Sequence, residues 1–233
     1  MQKRLRPRSP GFTLVELLVA IAVLALLAIV SWRGIDGMVR AQSQTSERAD
    51  AVLTLQTVLD QWGADLDAVQ TLEHTSPIAW DGQVLRLTRR SPRPRDPGVI
   101  VVAWALRSAD GTDQWLRWQS PPVATRADWN EAWQRAALWA RSPDAAARRG
   151  ETVLMPLADW QLFFYREGAW ANALSSSATS QPADTESPTP GTSAAVIPLP
   201  EGVRLQLTLP EGAALSGQVT RDWVNPVVGG NKS

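Results

Sequence analysis

The chain has 233 residues, room for one large domain or for one domain with an extension. It has no cysteine, which excludes a disulfide framework, a thiolate zinc cluster and a thiol nucleophile. Lys+Arg and Asp+Glu balance at 23 each, so no global charge asks for nucleic acid. The balance is uneven along the chain. Lys3, Arg4, Arg6 and Arg8 all precede Gly11, and without them the side chains sum to −4.

The segment Phe12–Trp32 is apolar apart from Thr13, Glu16 and Ser31. About 20 helical residues at a rise of about 1.5 Å span the hydrocarbon of a bilayer. The basic stretch before the segment is expected to stay cytoplasmic. A secretory signal has a core of about 7–15 apolar residues followed by an A-x-A-like site. This run is longer and continues into Arg33-Gly34-Ile35-Asp36 without such a site. No Arg-Arg pair precedes it, which argues against a twin-arginine signal. Glu16 stands out, because a carboxylate near the end of a membrane helix needs a partner or must reach the headgroups.

The helix is expected to continue to about Val69. Val52, Leu55, Leu59, Trp62, Leu66 and Val69 recur at steps of three and four, one apolar stripe that predicts packing onto the domain's own sheet. Residues between Arg40 and Asp50 are polar and fit an exposed neck. Gly34 and Gly37 are a site for bending or for close helix packing. From Pro77 the pattern becomes β. Gln83–Arg89 alternates, Val99–Leu106 is apolar on both faces and reads as a central strand, and Asp110-Gly111 is a turn signal leading to Gln114–Gln119. Trp160–Tyr165, Val203–Leu209 and Gly217–Trp223 are further strands. Arg126–Ala140 reads as a short helix capped by Asp128, with Trp129 and Trp133 on one face beside Ala136 and Ala137. Residues 175–195 are rich in Ser, Thr and Pro and read as a mobile loop inserted between two strands.

Gly11-Phe12-Thr13-Leu14-Val15-Glu16-Leu17-Leu18 after a short basic leader resembles the class III signal of type IV pilins and type II secretion pseudopilins. That resemblance implies cleavage between Gly11 and Phe12 by a prepilin peptidase, N-methylation of Phe12, and a role for Glu16 in assembly. The new amine on Phe12, in the same or a neighbouring subunit, would then neutralise Glu16 in a low-dielectric layer. A second, softer resemblance covers most of the chain. Trp32-Arg33-Gly34-Ile35-Asp36 and Leu199-Pro200-Glu201-Gly202-Val203-Arg204-Leu205-Gln206-Leu207 are similar to the J minor pseudopilin family of type II secretion. It implies an α+β fold, with a long N-terminal membrane-spanning helix packed on a β-rich pseudopilin globular domain.

The same resemblance implies a tip complex with I- and K-type minor subunits, contact with the major pseudopilin, and no catalytic role. It places the chain in the inner membrane as a single-pass protein with its C-terminal domain in the periplasm. The expected division is a leader at 1–11, a membrane span at 12–32, a periplasmic helix at 33–72 and a β-rich domain at 73–233 carrying the loop at 175–195. The Trp-rich helix and the Ser/Pro loop are departures from the family pattern. A minor pilin of a type IV pilus shares every N-terminal feature. A membrane-anchored periplasmic binding protein or enzyme is the alternative of another class, and it predicts a concave pocket of convergent polar groups.

No catalytic, metal or cofactor residue is expected. His74 is the only histidine and reads as a polar helix-terminal residue rather than a triad member, since no G-x-S-x-G elbow is present. Asp65 and Asp67 have the wrong spacing for a calcium loop. Asp110–Asp113 reads as a hairpin turn. Arg86, Arg89, Arg90, Arg93 and Arg95 read as a solvated loop, because no stacking aromatics are interleaved with them. Most of the 12 tryptophans are expected in the core, while Trp129 and Trp133 are candidates for a partner-facing patch.

Overall fold

The computed structural model describes residues 11–92, 98–109, 111–142, 144–175 and 199–227. The leader up to Pro10, Arg93 and Arg95 of the basic run, Asp110 of the expected turn, and positions 176–195 of the Ser/Pro loop lie outside them.

Helix α1 runs from Leu14 to Asp67 over 54 residues, which is about 81 Å at 1.5 Å per residue. Its start is written in Thr13-Leu14-Val15-Glu16, a Thr-x-x-Glu sequence. The Thr13 hydroxyl accepts the Glu16 N–H at 3.3 Å and satisfies one of the donors that a helix start leaves free. Between Leu14 and Val39 the large apolar side chains are exposed around the whole circumference. Such a helix is soluble only in an apolar medium or among other helices. Gly34 and Gly37 lie within the continuous helix.

The chain divides into two compact units, Met1–Ala49 and Asp50–Ser233, with the boundary inside α1. Within the second unit α1 buries Val58, Trp62, Asp65 and Leu66. Leu55, Leu59 and Val69 are half-buried against the same core, so the expected stripe packs as predicted, while Val52 stays exposed. The helix stops at Asp67, short of Val69. There the backbone is captured by a strand: the Arg90 N–H donates to the Ala68 carbonyl at 2.9 Å and the Gln70 N–H to the Thr88 carbonyl at 2.8 Å. Sheet-type pairing replaces the last half-turn.

Two antiparallel sheets follow. The first is formed by β1 (Ile78–Trp80), β2 (Val84–Arg90), β3 (Val99–Ala109), β4 (Thr112–Gln119) and β5 (Glu151–Pro156), in that spatial order. The second contains β6 (Asp159–Arg166), β7 (Ala169–Asn172), β8 (Gly202–Leu209) and β9 (Gly217–Val224), in the order β7-β6-β8-β9. Helix α2 spans Arg126–Arg141 and is followed by a 3-10 turn at Ala147–Gly150.

Strand β3 is central and buried on both faces, as its composition predicts. Ile100, Val102 and Trp104 face one core, and Val99, Val101, Ala103 and Ala105 face another. The first core lies between the two sheets and takes in the end of α1. Trp62 is fully buried there, 5.2 Å from Trp104, 5.8 Å from Trp115 and 6.3 Å from Trp160, centroid to centroid. One helical tryptophan thus touches both sheets. The second core lies under α2. The alanines of β3 and Ala132, Ala136 and Ala140 of α2 leave space that Trp118, Trp129, Trp133 and Trp139 fill.

Helix α2 is capped by Thr125 and not by Asp128: the Thr125 hydroxyl accepts the Asp128 N–H at 3.1 Å. Asp128 therefore sits in the first turn, where its charge meets the helix dipole favourably. After α2 the chain returns to the sheet at Gly150. A Cβ there would lie 2.4 Å from the Gln119 carbonyl oxygen and 2.8 Å from Trp118 Nε1, so only glycine lets β5 join β4 at this point.

Candidate functional site

The residues expected to carry processing stand together at the start of α1. Gly11 and Phe12 are non-helical and exposed, Thr13 caps, and Glu16 closes the first turn. This places an accessible Gly11–Phe12 peptide just before a rigid apolar helix. The carboxylate lies one turn inside it, at the end where the helix dipole favours negative charge. Thr13 and Glu16 enter the sequence reading only as parts of the signal motif; their Thr-x-x-Glu spacing is also a helix-start signature, a signal that reading did not use.

Trp129 and Trp133 do not form an outward patch. They are 6 % and 7 % exposed and stack on each other at 5.0 Å in the second core. The Trp129 indole N–H donates to the Thr88 hydroxyl at 3.0 Å, and the Arg86 guanidinium lies 5.0 Å above the Trp133 ring. The face of α2 that carries them is also its alanine face, and that face meets β2 and β3. A partner surface on α2 would have to use other residues.

Arg86 and Arg89 correct the solvated-loop expectation and bear out the strand read over Gln83–Arg89. They belong to β2 and not to a solvated loop. Arg89 is buried, Arg86 is half-buried, and Arg90 is exposed. Burial pulls the Arg86 guanidinium below its ordinary value, with Asp81 opposing the shift.

A buried polar cluster inside the second unit centres on Asp65, which the sequence reading weighed only as a calcium ligand. Asp65 is fully buried in the last turn of α1. Its carboxylate accepts from Arg89 Nη1, from Arg117 Nε at 2.7 Å and Nη2 at 2.8 Å, from Trp104 Nε1 at 2.9 Å and from Gln61 Nε2 at 2.9 Å. The Arg117 guanidinium engages both oxygens, in the fork geometry that suits a carboxylate. The cluster joins α1 to β2, β3 and β4. Its sequence signal is faint: a carboxylate placed three residues after Trp62 and next to Leu66, inside an apolar stripe. Asp67 makes a second tie, accepting the Trp223 indole N–H of β9 at 2.7 Å.

Among the described residues no group of three or more His, Cys, Asp or Glu side chains is placed to hold a metal ion. His74 is exposed in a turn with φ 57°, seven residues past the helix end, and is not the helix-terminal residue expected. A groove of 840 Å³ opens beside the C-terminal end of β4, and Arg117, Ser120, Arg149 and Glu151 are among the residues lining it. His74 is not among its lining residues.

Residues 6–32 match the prokaryotic N-terminal methylation motif. At its N-terminus the chain is thus similar to proteins that carry this methylation motif. The particular likeness is to type II secretion system protein J. It is 26 % identical to that protein of Vibrio cholerae over 170 residues, which cover 71 % of this chain and 75 % of the relative. It is 36 % identical to that of Klebsiella pneumoniae over 62 residues, 27 % of this chain and 31 % of the relative. A chain in the crystal structure of the GspK-GspI-GspJ complex from the enterotoxigenic Escherichia coli type 2 secretion system aligns over 74 % of this chain and 96 % of that one. The identity is 16 % and the TM-score 0.38.

Proposed function

We propose that this protein is a J-type minor pseudopilin of a type II secretion system, anchored in the inner membrane by α1. The observation that carries the reading is a conjunction. The methylation motif at residues 6–32 stands on the same chain as a likeness to protein J that extends over most of the relative. In this reading the peptidase cuts between Gly11 and Phe12 and methylates Phe12. The domain from about residue 73 lies in the periplasm. The subunit acts by assembly, with I- and K-type partners at the tip of a short fibre, and carries no catalytic activity.

The physical logic rests on α1. Its first half exposes apolar surface on every side and is stable in lipid. Entry into a fibre exchanges lipid for neighbouring helices, a change with little net apolar gain. Glu16 supplies the polar contact: paired with the Phe12 amine of a neighbour, it fixes axial register.

Three measurements test the reading. Intact-mass analysis of the processed protein should find Phe12 as an N-methylated first residue, and Gly11→Val should abolish the cut. Glu16→Ala should leave the cut in place yet reduce incorporation into the assembled complex at least tenfold. Normal incorporation of that variant would overturn the register role. Co-purification of full-length protein with the other minor pseudopilins of the same system tests the assembly role. Incorporation into long surface pili instead would favour the type IV minor-pilin reading.

A further inference from the structure

We propose that the free edge of β9 receives an extended strand from a neighbouring pilin-like subunit, continuing the second sheet across the subunit boundary. The inference rests on the assembly role above and names where one contact falls.

Among the described residues four strand edges are open in the two sheets. Strand β1 has three residues and β7 has four, too few to template a partner. Strand β5 carries a register break opposite Trp115 and Leu116 and ends in Pro156, two of the devices that blunt an edge. Strand β9 has neither. It pairs with β8 in unbroken register over eight residues, from Leu209–Gly217 to Gly202–Val224, and contains no proline.

The ladder fixes which backbone groups are free. The Asn225 N–H donates to the Glu201 carbonyl at 2.8 Å, so the odd-numbered residues of β9 turn their amides toward β8. Gln218, Thr220, Asp222 and Val224 therefore point their N–H and C=O groups away from the sheet. These four form a ready ladder for one more strand.

The side chains set the chemistry of the strand that fits. Val219 and Trp223 border the core between the sheets. Arg221 lies between them on the same face and is exposed, and no ion pair involves it among the described residues. A partner strand would place apolar side chains beside Val219 and Trp223 and a carboxylate against Arg221. A second copy of β9 does not offer this. Side chains that face each other across a ladder must lie on the same face. Two-fold pairing about Thr220 sets Arg221 against Val219, and pairing about Arg221 sets Arg221 against itself.

The test is residue-resolved amide exchange on the full-length protein, alone and in complex with the other minor pseudopilins. The expected result is alternating protection: amides of Gln218, Thr220, Asp222 and Val224 slow at least tenfold in the complex, while those of Val219, Arg221 and Trp223 change little. A complex that forms with these four amides still exchanging freely overturns the strand proposal and leaves the assembly role standing. Slowing of the four in the protein alone as its concentration rises shows self-pairing and overturns the proposed partner. Failure to form any complex overturns both readings. Thr220→Pro, which removes an outward N–H and no bond to β8, should weaken the complex at least tenfold, and Thr220→Val should not. Unchanged affinity for Thr220→Pro would also overturn the proposal.

Discussion

Removing the Asp65 carboxylate should cost this protein more stability than any other single polar change in it. In Asp65→Ala the guanidinium groups of Arg89 and Arg117 lose their anion while staying inside the core. They are 10 % and 11 % exposed at the side chain, so water cannot replace it without reorganisation. Breaking a buried pair by deleting one partner costs about 3–5 kcal/mol. Trp104 and Gln61 lose their acceptor as well. For a folded body of about 150–250 residues each kcal/mol shifts the midpoint by about 2–4 °C, so the drop should be about 6–20 °C. Tryptophan fluorescence during heating reads it directly, because Trp104 donates to the lost carboxylate. A companion variant separates stranded charge from lost packing. Asp65→Leu with Arg89→Met and Arg117→Met removes all three charges and should recover most of the stability, as an apolar replacement of a buried ionic triad can. A fall of less than about 2 °C for Asp65→Ala would refute the reasoning. A triple variant as unstable as the single one would show that shape, and not charge, holds the site.

Two further outcomes follow from the geometry. Trp129→Ala should lower unfolding stability by about 3–5 kcal/mol, measured by denaturant titration, because it empties part of the second core; unchanged stability would restore an outward role for that ring. Asp222 is held below the ordinary carboxylate range by its hydrogen bonds from Arg204, with burial opposing the shift and the charge of Arg204 adding to it. A lowered folded value means that the pair stabilises the protein above the unfolded-chain value, near about pH 4, and that this contribution fades as pH falls through the folded value. Carbon-detected NMR titration should show Asp222 protonating below the ordinary carboxylate range, and Arg204→Gln should return it to that range.

Long-period signals were legible and local competition was not. The apolar run at 12–32, helical from Leu14, the stripe through Leu55, Trp62 and Leu66, and the two-faced Val99–Leu106 each repeat a single physical demand over many residues, and the helix and the strand read there are present. β5 was missed because an edge strand with a register break carries no clean alternation. β1 and β7 are too short to show a period. The end of α1 was misjudged because nothing local says that Thr88 and Arg90 will pair with Ala68 and Gln70. Trp129 and Trp133 illustrate the same gap. An aromatic pair on a helix face is read equally well as core or interface, and only the alanines of β3, distant in sequence, decide it. Asp65 shows the same gap: its spacing predicted no calcium loop, but nothing local says that its partners come from β2, β3 and β4.

The contrast between the two kinds of contact on α1 explains why a helix of this length carries so few polar anchors. Burial against the sheets uses shape: Trp62 meets three other indoles, and sliding it by a turn would break all three contacts. The lipid-facing half has no such grip. Leucine, valine, isoleucine and alanine there are nearly interchangeable in an apolar medium, and a shift of one turn, about 5.4 Å, exchanges one for another at little cost. Axial position in a fibre therefore has to be fixed by a contact that is costly to misplace. A carboxylate in an apolar layer is such a contact, because leaving it unpaired costs several kcal/mol while pairing it does not. Asp65 does this within the second unit, where arginines hold it against the sheet. In the proposed assembly Glu16 does it between subunits, and the only cation that processing creates nearby is the amine of Phe12.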